Sequence, residues 1–206
     1  GIMDQTVVEL AESGQALLLD CVDQTARPVP LDSQAPALLV IHSGVSHSLA
    51  EGAYAQRRAE CERASALLGV NSLREVSPDQ LARLKDEVVL HQRVTHVVTE
   101  NERVRDAVTA IEQGCWDRLG ALMTGSHRSL RDDYEVSCRE LDLLVELATV
   151  ERGVYGARMT GGGFGGCVIV LVETDQLEGV ADRISGQYDD RMGWAPGCYR
   201  VEAGAG

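Results

Sequence analysis

The sequence is short of everything that would carry a chain into a membrane or onto a nucleic acid. Its longest purely apolar run, Cys167 to Val172, is far too short to span a bilayer. No stretch near the beginning has a positive region followed by an apolar core, so no secretory leader is read. There is no block of basic residues, and the net charge is −13. A surface that acidic repels nucleic acid phosphates and anionic lipid, so neither is an expected partner. It also repels free nucleotides at long range. A nucleotide site in this chain must therefore be local, made of backbone amides, a helix terminus or a metal ion. The six cysteines form no CxxC pair and no Cys/His cluster at zinc-ligand spacing. They fall inside apolar patterns, which predicts reduced, small, buried hydrophobes in a cytoplasmic protein. Aromatic residues make up 4% of the chain and hydrophobic residues 44%, a composition of the ordinary globular kind.

What is present is a chain of 206 residues, enough for one large domain or for a domain with part of another. It starts at Gly1 rather than Met, with a short amphipathic helix over residues 2–11, and reads as cut at that end. Residues 16–22 and 27–31 read as an antiparallel hairpin, and residues 37–42 as a buried strand. The pattern then turns helical. Residues 51–68 form one helix, and Ser77-Pro78-Asp79-Gln80 is a capping box that opens a second. A third runs over residues 94–113, and a fourth begins at Trp116. Ser137-Cys138-Arg139-Glu140 is another capping box, opening a fifth with Leu141, Leu144 and Ala148 inward. Strand character returns at residues 155–160 and 167–172. A last helix, capped by Thr174-Asp175, reaches about Gly186, and residues 198–201 are a final strand. Strands at both ends of a helical middle predict an α+β fold, with helices packed on a mostly antiparallel sheet.

Met159-Thr160-Gly161-Gly162-Gly163-Phe164-Gly165-Gly166 is the most unusual stretch. Five glycines in six positions cost conformational entropy. They suit either a tight turn between strands or close approach of backbone amides to phosphate. Gly161, Gly163 and Gly166 match GxGxxG, but a strand rather than a helix follows, so this is no dinucleotide fold; without Gly-Lys-Ser/Thr it is no P-loop. Asp4 lies in the first turn of the opening helix, where the helix dipole favours a carboxylate. It reads as a simple N-terminal acid or as a base that orients a hydroxyl. Tyr54, one turn before Arg57 and Arg58, can pack amphipathically or stack on a sugar. The five histidines read as structural or surface groups, and Arg131-Asp132-Asp133 as a solvated turn.

Taken together these pieces resemble galactokinases, members of the GHMP group of small-molecule kinases. Gly1-Ile2-Met3-Asp4-Gln5 is similar to the GIMDQ segment of that family, and residues 159–167, MTGGGFGGC, to its third motif. Residues 54–58, 96–101 and 129–134 resemble further stretches of the family in the same order. The resemblance implies a ferredoxin-like GHMP C-terminal domain over 35–206, with a remnant of the N-terminal domain over 1–34. It implies that Asp4 is the base, or the positioning charge, at the sugar's anomeric hydroxyl, and that Tyr54 hydrogen-bonds the sugar. Gly161, Gly162, Gly163, Phe164, Gly165 and Gly166 would border the nucleotide phosphates. The implied substrates are galactose and ATP, with Mg²⁺ accompanying the nucleotide on ligands expected in the missing N-terminal half. That half is also the implied partner. The family's Ser-rich phosphate loop is not in this sequence, so the isolated chain is expected to be inactive. An N-acetylgalactosamine kinase and a non-catalytic sugar sensor are the alternatives.

Overall fold

A computed structural model describes residues 6, 7, 9–46 and 50–204. Leu39 and Ile41 alternate with half-buried neighbours along β3 (Ala37–Ser46). The same period of two recurs at Ala157 and Met159 in β4 (Val154–Thr160) and at Val168, Val170 and Val172 in β5 (Gly165–Val172). One face of the sheet is thereby apolar and must be covered. Leu141, Leu144, Val145 and Ala148 of one helix (α5, Arg139–Thr149) cover it, with Val180, Ile184 and Tyr188 of another (α6, Leu177–Met192). With β6 (Gly197–Val201) the strand order is β4-β5-β3-β6, and every pairing is antiparallel. The path β3–helices–β4–β5–α6–β6 is the split βαβ arrangement of a ferredoxin-like domain, as expected.

Between β3 and β4 lie α1 (Ala50–Leu68), α2 (Pro78–Ala82), α3 (Val88–Glu112) and α4 (Trp116–Asp132), followed by α5. Ala64 and Leu68 of α1 meet Leu90 and Val94 of α3, with Leu73, Val76 and Leu84, in a second apolar cluster. The Ser77 capping box forms as read: Ser77 Oγ accepts from Gln80 N, and Gln80 Oε1 accepts from Ser77 N. The expected box at Ser137 does not. Cys138 is the N-cap of α5, while Ser137 Oγ donates to the carboxylate Oδ1 of Asp142 at 2.6 Å instead of accepting from a helix amide. Helix α3 starts six residues before the expected 94. Its first turn exposes Val88 and Val89 and buries Arg93, which hides the apolar stripe. Helix α6 runs past Gly186 to Met192 and stops at Gly193, whose φ of 83° is left-handed.

The strands β1 (Gln15–Asp20) and β2 (Thr25–Pro30) pair with each other and, among the described residues, with no third strand. Pro28 and Pro30 are tolerated there because both strands are edges. Arg74 grips Asp20 with two hydrogen bonds of 2.7 and 2.8 Å, and Arg27 bonds Glu112 at 2.9 Å, tying the hairpin to the helical layer. The edge of β4 is covered differently. A Cβ on Gly120 of α4 would lie 2.0 Å from Tyr155 O, and one on Gly156 would lie 2.0 Å from Gly120 O. Helix and strand therefore touch backbone to backbone, which only glycine at both positions permits. Of the six cysteines, all free, Cys21 and Cys115 are exposed, contrary to the expectation of burial. Cys21 sits in the turn after β1 beside the exposed Val22, and Cys115 is the N-cap of α4.

Candidate active site

The strands β4 and β5 are joined by the glycine-rich turn, so the expectation of strands on both sides holds. Gly161, Gly163, Phe164, Gly165 and Gly166 all have positive φ, between 59° and 126°. Such a run is open to glycine and costs Phe164 about 1 kcal/mol. The glycines divide into two kinds. A Cβ on Gly161, Gly162 or Gly166 would meet nothing within 4 Å, so this backbone borders open space. A Cβ on Gly163 would lie 2.1 Å from Val136 O. That same carbonyl accepts the Phe164 N–H at 2.7 Å. The turn is thus pinned at its apex to the segment between α4 and α5, and Phe164 packs on the main core.

Both roots of the turn are fixed as well. At β4, His127 of α4 reaches the strand edge, and the Met159 N–H donates to its Nδ1 at 3.3 Å. The ring proton therefore sits on Nε2, which faces Asp142 Oδ1 at 3.2 Å but off the line of a good hydrogen bond. At β5, Ser46 of β3 pairs with Gly165 across a register shift after His42. Trp194 Nε1 and the Tyr188 hydroxyl both donate to Ser43 O, at 3.0 and 2.8 Å, holding that bulge.

The register of Ser46 with Gly165 also places the end of β3 beside the turn. Tyr54 lies near the start of α1 and is 61% exposed, free to meet a ligand. One turn on, Arg57 lies 5.8 Å from the centroid of the Tyr134 ring, which stacks on His96 at 4.4 Å. Ser129 Oγ donates to Asp133 Oδ2 at 2.7 Å and accepts from His96 Nδ1, 3.0 Å away. Burial pushes the His96 pKa down to about 4, so the ring is neutral. Burial raises the Tyr134 hydroxyl, with the Cys61 hydrogen bond acting the same way. Asp4, expected to be the catalytic carboxylate, lies outside the described residues.

Sequence reasoning missed two charge clusters around this site, the first built on the buried Arg57 and Arg93 and reaching the half-exposed Glu135. Arg93 and Arg57 face Glu60 and Glu135, two cations against two anions. Burial tends to raise the Glu60 carboxyl, but hydrogen bonds from Arg93 and Gln56 and the charge of Arg57 hold it below its ordinary range. Behind β4, Glu100 accepts from Ser126 at 2.5 Å, Arg103 at 2.7 Å and Arg158 at 3.2 Å. Burial pushes Arg158 down against the attraction of Glu100. The sequence signal for the first cluster was slight: Arg131-Asp132-Asp133 read as a solvated turn, which fits the exposure of the Arg131–Asp132 pair but not its helical backbone at the end of α4. It does not fit Asp133, whose carboxylate and carbonyl are both engaged. Among the described residues no group of three or more His, Cys, Asp or Glu side chains is arranged to hold a metal ion. These residues do not fit a Mg²⁺ site.

The chain has likenesses among known proteins in both sequence and fold. The C-terminal model of GHMP kinases matches residues 107–190. The chain is 44% identical to the galactokinase of Streptomyces coelicolor over 212 residues, covering 100% of this chain and 54% of that protein. It is 49% identical to the galactokinase of Homo sapiens, covering 84% of this chain and 45% of that protein. The crystal structure of Lactococcus lactis galactokinase complexed with galactose superimposes with a TM-score of 0.91 at 34% identity, covering 100% of this chain and 55% of that one. The mevalonate kinase of L. major, solved in complex with R-mevalonate, shares the fold at a TM-score of 0.59 and 21% identity, covering 93% of this chain and 50% of that one. The chain spans about half the length of the curated relatives it matches.

Proposed function

We propose, from the premise that the chain belongs to the GHMP kinase family, that it is the C-terminal half of a galactokinase whose whole protein transfers the γ-phosphate of ATP to the 1-hydroxyl of galactose. The observation that carries this is the galactokinase match along the whole chain, 44% identical to one such enzyme and superimposing at a TM-score of 0.91 on another solved with galactose. In this reading the open backbone of Gly161, Gly162 and Gly166 borders the nucleotide phosphates. The open space where a Cβ would stand on each of them supports it, since amides free of side chains can approach phosphate closely. Tyr54 contributes its hydroxyl and ring to the sugar, which its exposure supports. Asp4 orients the attacking hydroxyl. Phosphoryl transfer depends on positioning and electrostatic stabilisation, so a chain with only one wall of the cleft is expected to turn over nothing by itself. Mg²⁺ bound with ATP would supply charge neutralisation from ligands in the other half.

The test is a chimera: the N-terminal half of the Streptomyces coelicolor enzyme followed by this chain from Gly1. ATP-dependent phosphorylation of galactose by the chimera, and none by the 206-residue chain, is the expected result. Phosphorylation of N-acetylgalactosamine in preference to galactose would replace the sugar assignment. A folded chimera that binds sugar and ATP yet transfers no phosphate would overturn the kinase reading in favour of a sensor.

A further inference from the structure

We propose that Arg93 is a positioning residue for the glycine-rich turn, acting through Glu135 and the carbonyl of Val136. Its side chain is 2% exposed, and its donors are spent on three acceptors: Glu60 Oε2 at 2.7 Å, Asp133 O at 2.5 Å and Glu135 Oε2 at 2.5 Å. Two of the three belong to the segment that leads to Val136. A planar guanidinium fixes the direction as well as the distance of each partner, so the segment is held in one geometry.

That geometry is one the segment would not choose unaided. Glu135 sits at φ 53°, left-handed for a residue with a side chain. Strained backbone of this kind persists only where its surroundings over-determine it. Here the grip comes from Arg93 on the Glu135 carboxylate, helped by Arg57 Nη2 on the Glu135 carbonyl at 3.4 Å. The next residue is Val136, whose carbonyl receives the Phe164 N–H and fills the place a Cβ on Gly163 would take. A relaxed Glu135 would re-aim that carbonyl and release the apex of the turn. Arg93 is therefore the inner end of a rigid path running from α3 through Glu135 and Val136 to Gly163 and Phe164. The consequence for nucleotide handling rests on the function proposed above; the hold on the turn does not.

The variant Glu135→Ala cuts the path while leaving Arg93 paired with Glu60, so no buried charge is stranded. In the 206-residue chain, hydrogen exchange followed by NMR should show the Phe164 amide exchanging about tenfold faster or more, the loss of one charge-assisted hydrogen bond. The Val168 and Val170 amides in β5 should be unchanged. Leu84→Ala, a truncation in the second apolar cluster, is the control for general destabilisation. Unchanged Phe164 exchange in Glu135→Ala, or equal acceleration in Leu84→Ala, overturns the inference. In the chimera, KM for ATP should rise about tenfold while that for galactose stays within about twofold, with Glu135→Gln restoring part of the loss. If exchange responds as expected but the chimera is inactive, the positioning role stands and the kinase reading fails. If exchange responds and the KM for galactose rises as much as that for ATP, the link to nucleotide is wrong.

Discussion

Two glycines in helices should respond to alanine with opposite signs. Gly120 lies in α4 against the edge of β4, where a Cβ would meet Tyr155 O at 2.0 Å, Tyr155 C at 2.2 Å and Gly156 N at 2.8 Å. These are backbone atoms of a strand hydrogen-bonded into the sheet, so no flexible side chain can yield. Overpacking of this kind costs up to about 3 kcal/mol. Alanine in place of glycine within a helix returns about 1 kcal/mol. The net loss for Gly120→Ala is about 2 kcal/mol, which for a domain of this size lowers the melting temperature by about 4–8 °C. Gly186 is also helical, in α6, but it is exposed and a Cβ there meets nothing within 4 Å. Gly186→Ala keeps only the propensity gain and should melt about 2–4 °C higher. Thermal unfolding of both variants followed by circular dichroism measures the pair. A Gly120→Ala protein as stable as the parent, or a Gly186→Ala protein that falls as far, would refute the backbone contact between α4 and β4.

Within the glycine-rich turn, Gly161→Ala should cost only the left-handed conformation, about 1 kcal/mol, whereas Gly163→Ala adds the clash with Val136 O and should melt several degrees lower; equal losses would contradict the pinned apex. His96 has a folded pKa of about 4 against an ordinary 6.5, so the unfolded chain takes up a proton first as pH falls. The corresponding stability is complete above about pH 6.5 and is lost toward pH 4, by at most about 3 kcal/mol. His96→Asn, which keeps a donor for Ser129, should flatten the pH dependence of urea unfolding across that window; an unchanged slope would rule out His96 as its source. The thiols should also separate by reactivity. Burial raises Cys138 to about 11 and raises Cys61, Cys167 and Cys198, while Cys21 and Cys115 are exposed. Brief alkylation at neutral pH, read by mass spectrometry, should modify Cys21 and Cys115 first.

Local rules made much of this molecule legible before folding. The apolar runs over residues 37–42 and 167–172 announced strands, while the alternation of burial along them appeared only in the fold. The Ser77 box opened a helix as read because it is set by residues within a turn of each other. The glycine-rich turn was recognisable because glycine is the only residue that carries such a run of positive φ without strain, and its flanking strands excluded a dinucleotide fold. Ser137 was misread for a related reason: its hydroxyl answers Asp142, an acceptor on the far side of the cap.

What pairs distant residues was not legible. Nothing in the local pattern points to the burial of Arg93, which only Glu60 and Glu135, 33 and 42 residues away, make tolerable by closing around it. Nor does the local pattern show why Gly120 and Gly156 are glycines, since the reason is the contact of their backbones across α4 and β4. The amino-acid pattern alone determines which segments are helix, strand and turn, because those preferences act over a few residues. Only the folded chain decides which carbonyl holds the turn and which charge is buried, because both depend on desolvating groups far apart in sequence and meeting their partners in one geometry.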